Sequence, residues 1–103
     1  MYTHKVTLTR PNTTVPFFYS SLLTNENYLA FKQKYIDNGM MINEIINESQ
    51  DGLQMTRTLQ FVDKAAFELV IAAWSDQNSF YVKSFQEYSV TNNHTVTFEA
   101  FAS

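Results

Sequence analysis

The stretch 53–61 reads LQMTRTLQF. Leu53, Met55, Leu59 and Phe61 alternate with Gln54, Thr56, Thr58 and Gln60, the period-two pattern of a strand with one buried face. Arg57 breaks the pattern, placing a charge where the alternation calls for an apolar side chain. Asp51-Gly52 just before it is a two-residue hairpin signal. The preceding stretch, Met40–Glu48 (MMINEIINE), is therefore read as the antiparallel partner strand. A register follows: Gln50 faces Leu53, Glu48 faces Met55, Ile46 faces Arg57 and Glu44 faces Leu59. All four pairs point to one side, which makes Glu44 and Glu48 the diagonal neighbours of Arg57. Two carboxylates thus flank one guanidinium, either as a structural ion-pair cluster near the sheet edge or as an anion-binding site.

Working outward, Lys5–Arg10 (KVTLTR) alternates as a first strand and Pro11 ends it. Val15-Pro16-Phe17-Phe18-Tyr19 is extended and aromatic. Thr24 is a candidate N-cap for a helix reaching about Asp37, with Tyr28, Phe31, Tyr35 and Ile36 as its apolar stripe and Asn38-Gly39 as its stop. Asp63 caps a second helix beginning KAAFELVIAAW. Ser75–Ser79 interrupts that helix, and the helical pattern resumes over Phe80–Tyr88. Asn92-Asn93 turns the chain into a last strand, Thr95–Phe101. The order β-α-β-β-α-β predicts an α+β, ferredoxin-like fold: a four-stranded antiparallel sheet, strands one and three central, with two helices on one face. Val6, Leu8, Leu53, Met55, Leu59, Phe61, Val96 and Phe98 should meet the helices. Thr7, Thr9, Gln54, Thr56, Thr58, Gln60, Thr97 and Glu99 should form the other, polar face.

The 103 residues suit one domain, 1–103, with a single core. Hydrophobic content of 45 % and aromatic content of 16 % leave enough apolar surface to bury. The net charge of −3, with seven Lys and Arg spread along the chain, offers no basic footprint for nucleic acid. RNA-recognition domains share this topology but place stacking aromatics on their central strands. Here those positions hold Thr and Gln, so no nucleic-acid partner is expected. With no cysteine, disulfides, thiolate catalysis and Cys-based metal sites are excluded. The polar N-terminus carries no secretory h-region and no apolar run reaches membrane-spanning length, so a cytoplasmic, non-secreted protein without a membrane partner is expected.

No catalytic constellation stands out. His4 and His94 begin the first and last strands, which places them at opposite ends of an antiparallel pair. Each is read as a surface residue at a strand end, not as part of a metal or catalytic pair. Gly-rich phosphate loops are absent. No cofactor or metal is expected.

The stretches RPNTTVPFFY (10–19), YIDNG (35–39) and SQDGLQMTRTLQF (49–61), with the Asn- and Thr-rich, cysteine-free composition, resemble small uncharacterised proteins of tailed viruses (phages) of marine cyanobacteria. The resemblance implies a viral origin, in the host cytoplasm or on the virus particle, and no known activity. Two functions remain open. The first is a non-enzymatic protein–protein interaction or assembly module, a homodimer or an accessory subunit, contacting its partner through Phe17, Phe18, Tyr19, Tyr81 and Tyr88. The Thr-rich sheet face points the same way, since in dimeric α+β barrel proteins two such sheets face each other, with interiors often more apolar than this one. The second is a small-molecule-binding protein or enzyme of the dimeric α+β barrel type, with an anionic ligand near Arg57 and aromatic walls from Tyr28, Phe31 and Trp74. A filled space between sheet and helices leaves only the first. A pocket of roughly 300 Å³ or more reaching Arg57 favours the second.

Overall fold

The alternating stretches form four antiparallel strands: β1 (Tyr2–Thr9), β2 (Met41–Glu48), β3 (Gln54–Phe61) and β4 (Thr95–Ala102). Their order in the sheet is β2-β3-β1-β4. Helix α1 (Glu26–Asp37) links β1 to β2, while α2 (Lys64–Gln77) and α3 (Ser79–Thr91) link β3 to β4. The structure, a computed structural model, describes residues 1–18, 25–77 and 79–102, with the side chains of all of these except 77 and 79–82. The expected site residue Tyr19, the side chain of Tyr81 and the expected cap Thr24 lie outside the described residues.

The fold is the ferredoxin-like α+β arrangement, with one elaboration. The second helical crossover is two helices, because α2 runs past Trp74 through Ser75 and Asp76 to Gln77 before α3 starts. Polar residues with modest helix propensity continue a helix whose apolar face is already docked. Local chemistry sets the ends. The Asn25 side chain accepts from the Asn27 and Tyr28 amides at 2.9 and 3.3 Å and caps α1. Asp63 accepts from the Ala66 amide at 2.8 Å and caps α2. Gly39, at φ 79°, stops α1 in a left-handed conformation that a side chain would oppose. At the end of α3, Asn93 takes that conformation, and the His94 amide reaches back to the Ser89 carbonyl at 2.8 Å. That closure turns the His94 ring inward.

The β2–β3 register pairs Glu44 with Leu59, Ile46 with Arg57 and Glu48 with Met55. The connecting turn is wider than two residues. The Gly52 amide bonds the Ser49 carbonyl at 3.0 Å and the Ser49 amide bonds the Gln54 carbonyl at 2.9 Å. Leu53 therefore belongs to the loop, yet the register is kept, because a four-residue loop centred on the same point pairs the same residues. A bulge does occur between Met41 and Asn43. It lies beyond Glu44, so the pairs around Arg57 are unaffected.

One face of the sheet carries the core in two clusters. Val6, Leu8, Phe17, Tyr28 and Met55 form the first. Tyr35, Met41, Leu59, Phe61, Ala66 and Val70 form the second. Each large side chain fully buried here contributes roughly 1.5–3 kcal/mol. The described helices do not cover the whole face. Phe98, expected beneath them, is 61 % exposed, because the C-terminal half of edge strand β4 runs out from under the helical layer.

Candidate functional site

The two clusters do not meet everywhere. Between them, under the helices, is a cavity of about 470 Å³. The strands bring His4, Arg57 and Leu59 into its floor, and the helices bring Tyr28, Phe31, Phe67 and Trp74 into its walls. Its rim runs along β4 at Phe98 and Ala100, where the strand is exposed. Trp74 meets Tyr28 and Phe31 edge-on, with ring centroids at 5.4 and 5.0 Å. These are the three rings expected to wall a pocket, and they stand together.

Arg57 is buried among them. Its Nε donates to Glu44 Oε2 at 3.0 Å, and both side chains are only 9 % exposed. A second Arg57 N–H donates to the Tyr28 hydroxyl, which itself donates to Glu44 Oε2. Lys32 Nζ donates to Glu44 Oε1 at 3.1 Å. Glu48 is not part of this group. It lies toward the hairpin and pairs with Arg10 at 3.6 Å, because Arg10 is drawn there by the Gly52 and Val15 carbonyls. Burial alone would raise the Glu44 carboxyl. The Tyr28 bond, the Arg57 charge and the Lys32 bond outweigh it and hold Glu44 below the usual range. Burial pushes the Tyr28 phenol well up, and the Glu44 bond and charge add to this against the opposing Arg57 charge, so it stays protonated. Of this group, Arg57 and Tyr28 line the cavity.

Both histidines depart from the expected surface positions. Strand β1 starts at Tyr2, three residues earlier than expected, so His4 shares the core face with Val6 and Leu8. Its ring lies 5.2 Å from Phe67 and 6.1 Å from Phe98, nearly parallel to the latter at 17°. Its Nδ1 is buried and has no hydrogen-bond partner among the described residues. Burial and the Arg57 charge lower its pKa against the pull of the Glu99 backbone carbonyl, which keeps the ring neutral at pH 7. His94 is 9 % exposed and packs edge-on against Phe17 and Tyr88, at 6.0 and 5.5 Å. The two rings are at opposite ends of the β1–β4 pair, as the strand directions require. Among the described residues, no three His, Asp or Glu side chains gather where a metal ion could be held.

The aromatic residues expected at a partner surface are placed differently from one another. Phe17 is 2 % exposed and belongs to the core, beneath the Arg10 guanidinium at 4.1 Å. Phe18 is half-buried against Phe85 and Tyr88 and also lines the cavity. Tyr88 is half-buried and donates its hydroxyl to the Pro16 carbonyl. These contacts fold the 15–18 segment onto α3.

The opposite face of the sheet is left uncovered by the described helices. It carries Thr7, Thr56, Thr58 and Thr97 at its centre, with Lys5 directly opposite Glu99. Among the described residues, no helix is long and apolar enough to cross a membrane.

No protein-family model matches the sequence, and no curated protein matches it. Solved structures do. A dimeric ferredoxin-like protein from an uncultured marine organism superposes with a TM-score of 0.66 at 17 % identity, over 97 % of this chain and 92 % of that one. A putative antibiotic biosynthesis monooxygenase from Deinococcus radiodurans gives 0.57 at 13 % identity, over 100 % and 92 %. A monooxygenase from Streptomyces coelicolor, solved with the ligand nanaomycin D, gives 0.53 at 16 % identity, over 99 % and 88 %. At such identities the likeness establishes the fold alone: the chain has the ferredoxin-like α+β fold of these proteins.

Proposed function

We propose that this protein holds a small, largely apolar molecule in the cavity between its sheet and helices, and does so as one protomer of a self-associating pair. The observation that carries the reading is the cavity itself. At about 470 Å³ it lies inside the range of small-molecule sites, roughly 300–1,000 Å³, and is walled by aromatic rings with few polar groups. An assembly module built on the 17–19 segment has less support, since Phe17 and Phe18 are packed inward. That a fold neighbour was solved with a bound small molecule is consistent with a ligand here.

The test is uptake of N-phenyl-1-naphthylamine, a neutral dye that fluoresces in apolar surroundings. The wild-type protein should bind it in a saturable way. Ala100→Trp places a large ring at the rim from an exposed strand position, where folding stability should change by about 0.5 kcal/mol or less. It should weaken dye binding by about tenfold, equivalent to 1.4 kcal/mol. No uptake by the wild type, or equal uptake by the variant, rejects the reading.

Self-association is supported by the uncovered sheet face and by the dimeric state of fold neighbours. Thr7 and Thr58 are central on that face. Arginine at both would bring like charges together in any face-to-face pair and leave them without partners. Light scattering should give twice the chain mass for the wild type and the chain mass for Thr7→Arg/Thr58→Arg. A monomeric wild type removes this part of the proposal.

A further inference from the structure

The cavity is bounded mostly by rings, and several of those rings are held at set angles by one another. Trp74 stands edge-on to Tyr28 and Phe31, at 87° and 64°. Phe67 is set at 69° against Phe61, with centroids 5.5 Å apart, and Phe18 at 65° against Phe85, at 5.3 Å. Rings braced in this way do not reshape themselves around whatever enters, so the walls present faces and edges in fixed directions. The polar side chains Tyr28 and Arg57 reach the cavity with bonds already made to Glu44 and to each other. His4 Nδ1 is buried and is not open to the cavity. A ligand therefore meets mainly aromatic carbon, not a charge that it must match.

The mouth supplies a second observation. Phe98 is 61 % exposed on β4, and its ring stands nearly parallel to that of His4, at 17° and 6.1 Å. A large apolar side chain left open at the edge of an apolar cavity marks a contact surface. Resting on the small-molecule reading above, we propose that the ligand is a neutral, flat aromatic molecule and that Phe98 is the ring that selects it at the mouth. A flat ring system can lie against Phe98 and meet the edges of the braced rings within. It then gains the offset and edge-on contacts that aromatic pairs make beyond the area they bury. A saturated molecule of the same carbon skeleton is thicker and has no ring quadrupole, so it gains burial alone. A flexible chain would lose conformational freedom as well, against walls that do not adapt to it. A polar substituent on the ligand stays at the β4 mouth, where the strand is exposed to solvent.

The test uses a matched pair of neutral alcohols, 2-naphthol and its fully saturated counterpart decahydro-2-naphthol, which share one carbon skeleton. Each is titrated against protein loaded with N-phenyl-1-naphthylamine, and displacement is read from the fluorescence of the dye. In the wild type, 2-naphthol should displace the dye at a concentration about tenfold lower than the saturated alcohol, equivalent to 1.4 kcal/mol. Phe98→Leu keeps an apolar side chain at an exposed position, so the fold is retained. It should weaken 2-naphthol binding and cut the preference to about threefold or less, since the contact between rings at the mouth is gone. Equal displacement by the two alcohols, or stronger displacement by the saturated one, overturns the aromatic class while leaving the small-molecule reading in place. A preference that stays tenfold in Phe98→Leu overturns the role of Phe98. A wild type that takes up no dye defeats the small-molecule reading itself.

Discussion

Replacing Arg57 by Met should lower folding stability by about 3 kcal/mol, within the range of roughly 3–5 kcal/mol for breaking a buried ion pair. Met preserves most of the stem that lies on the core, so the loss isolates the charged head. What remains is worse than an absent bond. Glu44, only 9 % exposed along its side chain, keeps Lys32 and the Tyr28 hydroxyl but loses the closest buried cation. Tyr28 loses the donor to its oxygen. If this is the cause, adding Glu44→Gln to Arg57→Met should restore much of the lost stability, since no carboxylate then stays uncompensated. Urea unfolding of the four combinations measures the coupling directly. A cost below about 1 kcal/mol for Arg57→Met would reduce the pair to the worth of a surface ion pair. The pH dependence supplies a second readout. Glu44 has its carboxyl pKa lowered in the folded state, below the ordinary 4.5. The stability it contributes is present above that ordinary value and is lost as pH falls through the folded-state one. Arg57→Met should shrink this acid-side loss.

The same arginine shows how far local sequence rules reach. Its place opposite Ile46 and diagonal to Glu44 was legible, because hairpin pairing depends on the centre of the turn and not on its width. Asp51-Gly52 located that centre. The loop is nonetheless four residues wide, since the Asp51 carboxylate bonds the Leu53 amide at 3.0 Å and the Ser49 hydroxyl at 2.6 Å and holds the backbone open. Glu48 was assigned to Arg57 by the same diagonal argument. It went to Arg10 because the 10–15 segment folds over the hairpin, a long-range contact with no periodic signature.

The exposure of Phe98 and the cavity were not legible in the sequence, because they depend on where helices end above the sheet and not on strand alternation. Phe98 alternates correctly with Val96 and shares the core face, yet the described helices leave it exposed. The cavity is the same fact seen from inside, a gap between two clusters that are each well packed. His4 differs for another reason. The alternation Tyr2, His4, Val6, Leu8 is present in the sequence, and reading the strand from Lys5 instead of Tyr2 hid the histidine on the core face. Phe17 lies in an irregular segment, which in the sequence reads as a contact surface. Irregular backbone can still place a ring in the core when a cation such as Arg10 and a turn such as Asn92–His94 close over it.

Trp74→Ala should cost about 3 kcal/mol, at the lower end of the 3–5 kcal/mol range for removing a large core aromatic, because Trp74 is half-buried. The ring reaches from α2 to two residues of α1, with centroids 5.4 Å from Tyr28 and 5.0 Å from Phe31. Edge-to-face pairs of this kind contribute about 0.5–1.5 kcal/mol each beyond the area they bury. Truncation also joins the space left by the indole to a cavity already present, so the surroundings cannot close over it. That argues against the small costs seen where a core can collapse. Trp74→Phe keeps a ring against both neighbours and should cost less than about 1.5 kcal/mol. The contrast between the two variants in urea unfolding separates the ring contacts from mere side-chain volume. Equal, small losses would mean that Trp74 faces solvent and that α1 and α2 are held together by other contacts. A large loss for Ala and a small one for Phe would make Trp74 the wall that holds the cavity open between the two helices. The dye titrations would then report a space fixed by the fold before any ligand arrives.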